Sequence, residues 1–201
     1  MKMKKAALIA GILGAVIIGS SITITQQNEY KLIRQFGKVD RVICEPGISF
    51  KIPLIERTQS LPKETLLYDL EASDVITKDK KTMISDSYVL WRITDPLKFA
   101  QTLNSSLENS ESRINTAVYN ATKNVISSLS QDRVITSRDG ELSDMVMEAI
   151  GDNMEQYGIE LIKFETKQLD LPDDNKAAVY ERMISERDNI AATYKAEGDS
   201  E

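Results

Sequence analysis

The sequence predicts an α+β protein: an N-terminal transmembrane helix, then a body of strands and helices, then the start of a charged C-terminal helix. Three observations predict it. Ala6 to Thr25 (AALIAGILGAVIIGSSITIT) holds twenty residues and no charge. Apolar residues alternate with a period of two in several stretches between Glu29 and Ile93 and again from Ile159 to Leu169. They recur at steps of three and four between Ser110 and Met154, and once more after Asp173. Period two is the mark of a strand, and steps of three and four mark a helix face.

The apolar run comes first. As a helix rising ~1.5 Å per residue it reaches about 30 Å, the thickness of a bilayer's hydrocarbon core. Its only polar side chains are Ser20, Ser21, Thr23 and Thr25. A cleaved signal peptide also starts with lysines, here Lys2, Lys4 and Lys5, but its apolar region is usually ~7–15 residues long. A buried core helix should keep a polar face, and this run has none. The expected division is therefore 1–5 as a cytoplasmic N-terminus, 6–25 as the transmembrane helix, 26–172 as one domain and 173–201 as a charged helix of coiled-coil type. Three lysines precede the span, and the first basic residue after it is Lys31. The positive-inside rule then places the N-terminus in the cytoplasm and the body outside it.

The body opens with short strands and turns from Glu29 to Ile55. Gly37 permits a tight turn after Phe36, which reads as an aromatic anchor. Pro46-Gly47 suits the centre of a type II turn. Ile48, Phe50 and Ile52 alternate with Ser49 and Lys51, the period of a half-buried strand closed by Pro53. Leu66–Ile76 reads as one more extended segment, and 77–81 (TKDKK) as a solvated hairpin tip. Thr82–Ile93 is again a strand, with Trp91 as a core anchor and apolar residues on both faces. Asp95-Pro96 closes it, because the residue before proline avoids the helical region.

From Ser110 the apolar residues Ile114, Ala117, Val118, Ala121, Val125, Ile126 and Leu129 mark an amphipathic helix. Arg138-Asp139-Gly140 is a polar break. Leu142 to Met154 forms a second helix, ended by Gly158 as a C′ residue. Met145, Met147 and Met154 read as core filler. Asp173 caps the last helix, whose narrow face is Ala177, Tyr180, Ile184, Arg187, Ala191 and Tyr194. Such a helix buries itself poorly on one domain and suits association with other copies. The chain stops at Ala196–Glu201 without a cap or an apolar finish, which is expected of a helix cut off rather than ended.

Composition narrows the function. Past Thr25 there are 31 acidic and 22 basic residues, a net charge of −9. A body this acidic is a poor candidate for nucleic acid or an anionic lipid surface. The chain has no histidine and a single cysteine, Cys44, which reads as a small, partly buried hydrophobe. That composition excludes an intrachain disulfide, Ser-His-Asp and Cys-His catalysis, and Cys/His metal sites. What remains for an enzyme is carboxylate or Ser/Lys chemistry. Asp69, Glu71 and Asp74 cluster, and Ser85-Asp86-Ser87 lies on a predicted strand. Both read as surface polar residues. No catalytic, cofactor-binding or metal site is predicted, and no cofactor.

Several landmarks occur in order after the span: Phe36-Gly37-Lys38-Val39, Glu45 to Pro53 (EPGISFKIP), Thr77-Lys78-Asp79, Trp91 to Pro96 (WRITDP), Gly158-Ile159-Glu160 and Lys167 to Pro172 (KQLDLP). Together they resemble the SPFH/band 7 family of stomatins, prohibitins and flotillins. Within it the chain looks most like the bacterial HflC-type modulator of a membrane AAA+ protease. The span begins almost at the first residue, and 134–140 (VITSRDG) and 180–187 (YERMISER) resemble the corresponding segments of that type. Proteins of that type continue well past this chain's end. The resemblance implies antiparallel strands with helices on one side and no catalytic activity. It implies a membrane-anchored scaffold subunit, forming a hetero-oligomer with an HflK-like homologue and restricting substrate access to an FtsH-type protease. The implied place is the bacterial inner (plasma) membrane, single-pass, with the body extracytoplasmic. The other readings are a generic stomatin-like microdomain scaffold and an exported binding protein.

Overall fold

The computed structural model describes residues 19–137 and 140–170, with 181, 184, 185, 187–192, 194 and 195 beyond them. Among the described residues nine strands form, and their pairings are antiparallel. They are β1 (Ile22–Thr25), β2 (Glu29–Gln35), β3 (Lys38–Ile43), β4 (Gly47–Phe50), β5 (Glu56–Pro62), β6 (Leu66–Asp69), β7 (Ser73–Ile76), β8 (Thr82–Ile93) and β9 (Ile159–Asp170). Between β8 and β9 come α1 (Pro96–Leu103), α2 (Leu107–Ser128), α3 (Gln131–Thr136), α4 (Glu141–Ile150) and a 3-10 helix, Gly151–Tyr157. The fold is α+β, as the sequence predicts.

The second half of the chain is built on β8. This strand pairs with β9 along one side, and with β7 and then β6 along the other. Its odd-numbered side chains are buried under the helices, while Ile84, Asp86, Tyr88 and Leu90 on the other face are half-buried and Arg92 is exposed. Trp91, Val89, Ile93, Phe99, Ile114, Ile126 and Phe164 form the centre of the core, each 0–1 % exposed. Leu66–Ile76 is two strands rather than one. The break at Leu70–Ala72 lets each strand reach a different end of β8, and the Leu70 amide donates to the Ser87 carbonyl (3.0 Å).

The helices follow from their caps. Helix α1 has no place in the sequence reading, although Asp95-Pro96 announces it. The Asp95 carboxylate accepts from the amides of Leu97 and Lys98 at 3.0 Å, and Pro96 fills the first helical position. Ser106 caps α2, which starts three residues before the predicted Ser110. Residues 78–81 form the exposed tip that the sequence predicts, between β7 and β8, but its first residue and its aspartate are tied into the fold. Thr77 is buried, and the Asp79 carboxylate accepts from the Thr77 hydroxyl (2.6 Å) and from the Gln131 amide (3.1 Å), capping α3 from a distant turn. The second helix ends at Ile150, not at Gly158; the chain tightens to a 3-10 helix as far as Tyr157. Gly158 follows at φ 71, and its carbonyl accepts from the Thr94 and Asp95 amides. A Cβ there would lie 2.2 Å from the Asp95 carbonyl oxygen, so only glycine fits.

The first half holds two small sheets. One has the order β3-β2-β5 and the other is the β1–β4 ribbon. The ribbon corrects the predicted span at its end: Ile22–Thr25 form a strand, not the last turn of a helix. The β-branched Ile-Thr-Ile-Thr sequence favours a strand, with Thr23 and Thr25 buried and Ile22 and Ile24 outward. Gly19 and Ser20 are helical, and residues 1–18, the rest of the predicted segment, lie outside the described residues. No described helix is long and apolar enough to cross a membrane. Gly47, with φ 153, is already the first residue of β4 rather than the centre of a turn. The boundary at 172/173, the Arg138-Asp139 break and the Asp173 cap also lie outside the described residues. The described residues from 181 onward are helical and exposed, Ile184 and Tyr194 of the predicted face among them.

Candidate functional site

The strands β1 and β4 pair with Ile22 opposite Phe50 and Ile24 opposite Ile48. Directly opposed residues share a face. Here that face is turned to solvent: Ile24 is 64 % exposed, and Ile48 and Phe50 68 % each. The sequence period is correct, but the half of the strand expected to be buried is the exposed half. Ser49 and Lys51 are the half-buried ones.

Two cations hold this ribbon with its apolar side out. Lys31 on β2 donates to the Ile24 carbonyl and pairs with Glu29 at 2.9 Å. Arg41 on β3 donates to the Phe50 carbonyl and pairs with Glu56 at 3.3 Å. Glu56 is buried and also accepts from the Ile52 amide at 2.8 Å. The Ser60 hydroxyl, the Gln26 amide and Lys31 stabilise the charged form of Glu29 and hold its pKa down to about 2. The clamps bind the strand carbonyls at opposite ends of the ribbon, so neither strand can roll its apolar face inward without breaking an ion-pair-supported hydrogen bond.

The apolar surface continues past the ribbon. On β2, Gln35 pairs with Lys38 and with Glu56, so the Phe36-Gly37 turn and the Leu54-Ile55 turn share one end of the sheet. Phe36 is 85 % exposed and Leu54 fully exposed, with φ of 49 and 73. Bulky residues rarely adopt this left-handed conformation, and strain of this kind collects at functional positions. Phe36 is therefore not the aromatic anchor the sequence suggests. Ser21 leads into the ribbon at this same end, where its carbonyl accepts from the Lys51 amide (2.8 Å). The outcome is one apolar end: Ile22, Phe36, Phe50, Ile52, Leu54 and Ile55, beside the point where the N-terminal apolar segment enters.

The groups that carried the enzyme reading come together only in part: Asp69 and Asp86 meet at Lys167, while Glu71, Ser85 and Ser87 line a separate small cavity of about 20 Å³. Asp69 and Asp86 both pair with Lys167, at 2.5 and 2.8 Å, on the outer face of the β8 sheet. Asp74 is exposed on β7. Ser85 and Ser87 point the other way, buried toward the helices with their hydroxyls 3.4 Å apart. A groove of about 360 Å³ between α2 and the 3-10 helix is lined by the amides Asn120, Asn124 and Asn153, with Arg113 as its one charged group. A second, of about 380 Å³, contains Asp144, Lys163 and Glu165, the last two paired at 2.6 Å. Among the described residues no group of three Cys, Asp or Glu could hold a metal ion. Cys44 is exposed rather than partly buried.

The antiparallel α+β body, with helices on one face of its larger sheet, is of the kind the sequence landmarks imply. The profile described as "SPFH domain / Band 7 family" matches residues 23–200, and the chain belongs to that family. Among curated relatives, Protein HflC of Haemophilus influenzae is 29 % identical over 194 residues, covering 92 % of this chain and 66 % of that protein. The "Modulator of FtsH protease HflC" of Escherichia coli K12 is 25 % identical over 245 residues, covering 99 % of this chain and 73 % of that protein. An uncharacterised protein of Methanocaldococcus jannaschii is 29 % identical over 192 residues, covering 96 % of this chain and 94 % of that protein. The chain thus spans just under two thirds of the length of the Haemophilus relative. Within the family it is HflC-like.

Proposed function

We propose that the chain is a membrane-anchored scaffold subunit that, with an HflK-like partner, modulates an FtsH-type membrane AAA+ protease by restricting substrate access. The observation that carries the membrane part is the apolar end around Phe50 and Leu54, continuous with the segment that precedes β1. With Ile22–Thr25 in a strand, the uncharged run left for a helix is Ala6–Ser21, sixteen residues. At ~1.5 Å per residue it reaches about 24 Å, short of the roughly 30 Å hydrocarbon core. The exposed isoleucines, Phe50 and Leu54 make up the difference by lying in the leaflet next to the body. The body is then fixed directly on the bilayer, and many copies share one plane. The protease part rests on the name of the Escherichia coli relative. Lateral association uses the exposed face of the C-terminal helix.

The test is isolation of the full-length protein from membranes with an HflK-like partner present. The expected result is a large assembly that brings down the protease. Phe50→Glu with Leu54→Glu should loosen the membrane contact and reduce protease recovery severalfold. A monomer that recovers no protease would sink the proposal. A large assembly without protease would point to a generic stomatin-like scaffold.

A further inference from the structure

We propose that the apolar end carrying Phe36 and Leu54 is a binding site for anionic phospholipids. This rests on the membrane-docked reading above and adds a headgroup preference to it. Lys38 follows the Phe36-Gly37 turn, Arg57 lies three residues past Leu54, and Lys51 stands where Ser21 enters the ribbon. Lys38 and Arg57 are exposed and Lys51 is half-buried. Among the described residues none of the three forms an ion pair, whereas Arg41, Lys31, Arg92 and Lys167 all do. Arg34, paired with Arg57 across β2 and β5, donates to the Ser105 hydroxyl at 2.7 Å and has no carboxylate.

The acidic groups nearby do not cancel this charge. Glu56 is occupied by Arg41 and the Ile52 amide. Glu45 lies at the far end of β3, beyond Ile43, and among the described residues of β2, β3 and β5 Asp40 is the exposed carboxylate nearest the turn in sequence. The whole chain has a net charge of −6, and its acidic ridge (Asp144, Glu148, Asp152 and Glu155) runs along α4 and the 3-10 helix in the other half. Salt screens exposed charges beyond about 8–10 Å, so a headgroup at this end responds to the local cations rather than to the total. The proposed site thus runs against the expectation drawn from the net charge of the body.

The chemistry is that of amphipathic anchoring. Phe36 and Leu54 enter the acyl region, and the ammonium and guanidinium groups beside them donate hydrogen bonds to phosphate oxygens at the interface.

The test uses the full chain with Cys44→Ser and Ile52→Cys, labelled at residue 52 with an environment-sensitive dye. It is reconstituted in vesicles of equal phosphatidylglycerol and phosphatidylcholine. Traces of one lipid or the other carry a spin label that quenches the dye. Quenching by labelled phosphatidylglycerol is expected to exceed that by labelled phosphatidylcholine about twofold or more. The triple variant Lys38→Gln, Lys51→Gln, Arg57→Gln should equalise the two with total quenching retained. Equal quenching without those three substitutions would overturn the anionic site and leave membrane docking intact. No quenching by either lipid would overturn both. Inorganic phosphate should act no more strongly than chloride of equal ionic strength. A specific loss of the preference in phosphate would replace the lipid site with a free-phosphate site.

Discussion

Strands β4 and β8 have the same alternation and treat it in opposite ways. In β8 every second side chain from Met83 to Ile93 is buried, because α2 and its neighbours lie across that face. In β4 the apolar residues Ile48 and Phe50 face out, and no described helix packs on them. Lys31 and Arg41 fix that orientation through the backbone of the ribbon itself. One half of the molecule spends its apolar residues on a core. The other buries Leu32, Ile33 and Leu61 of its three-stranded sheet but keeps those of the ribbon and the two neighbouring turns on the surface, at the end where the chain enters. An alternating pattern therefore identifies a strand, but its covered face depends on what is packed there.

The largest effect should come from testing the two strands against each other. Trp91→Ala removes a fully buried ring and should cost about 3–5 kcal/mol, measured by chemical unfolding in detergent. Phe50→Ser, on an exposed face, should change stability by within ~0.5 kcal/mol. Equal losses at the two sites would mean that the β4 face is covered within the chain.

A smaller loss is expected at the joint that seats β9 against α1. Gly158→Ala brings a Cβ onto the Asp95 carbonyl at a positive φ, and should cost on the order of 2 kcal/mol. Amide exchange should quicken first at Thr94 and Asp95. Unchanged exchange there would show that the joint is not what holds the strand end.

The smallest effects lie in two carboxylates, one in each half. The Ser60 hydroxyl first, and the Thr77 hydroxyl first, hold Glu29 and Asp79 each to about 2. A carboxylate lowered on folding contributes stability that is complete above its unfolded pKa and is lost as pH falls toward the folded one. Melting temperature should therefore drop between about pH 4.5 and 2, and Glu29→Gln or Asp79→Asn should each flatten part of that drop. Glu29→Gln should loosen the ribbon, and Asp79→Asn the start of α3. The comparison between halves sharpens if exchange data separate these two responses.

Much of the second half could be read directly. Val89, Trp91 and Ile93 gave β8, and the steps from Ile114 to Ile126 gave α2, because these residues bury where periodicity points. Helix α1 could have been read from Asp95-Pro96, a cap followed by a proline at the first helical position. Other features had no local signal. Asp79 caps α3 across 52 residues, a contact that an exposed charged turn does not announce. The left-handed Phe36 and Leu54 could not be foreseen from a turn glycine, although the unbroken apolar run Ile52-Pro53-Leu54-Ile55 in a turn was a warning.

The sequence by itself determined most of the strands and the two longer helices, the family, the lack of histidine and the apolar segment at the start. All of these depend on residue type, order and spacing. Only the tertiary structure decided that Ile22–Thr25 leave that segment for a strand and that the β4 face points outward. It also decided that Lys38, Lys51 and Arg57 gather at one end of an acidic body. Those outcomes depend on register and on which charges find partners, and both are fixed by contacts between residues far apart in the chain.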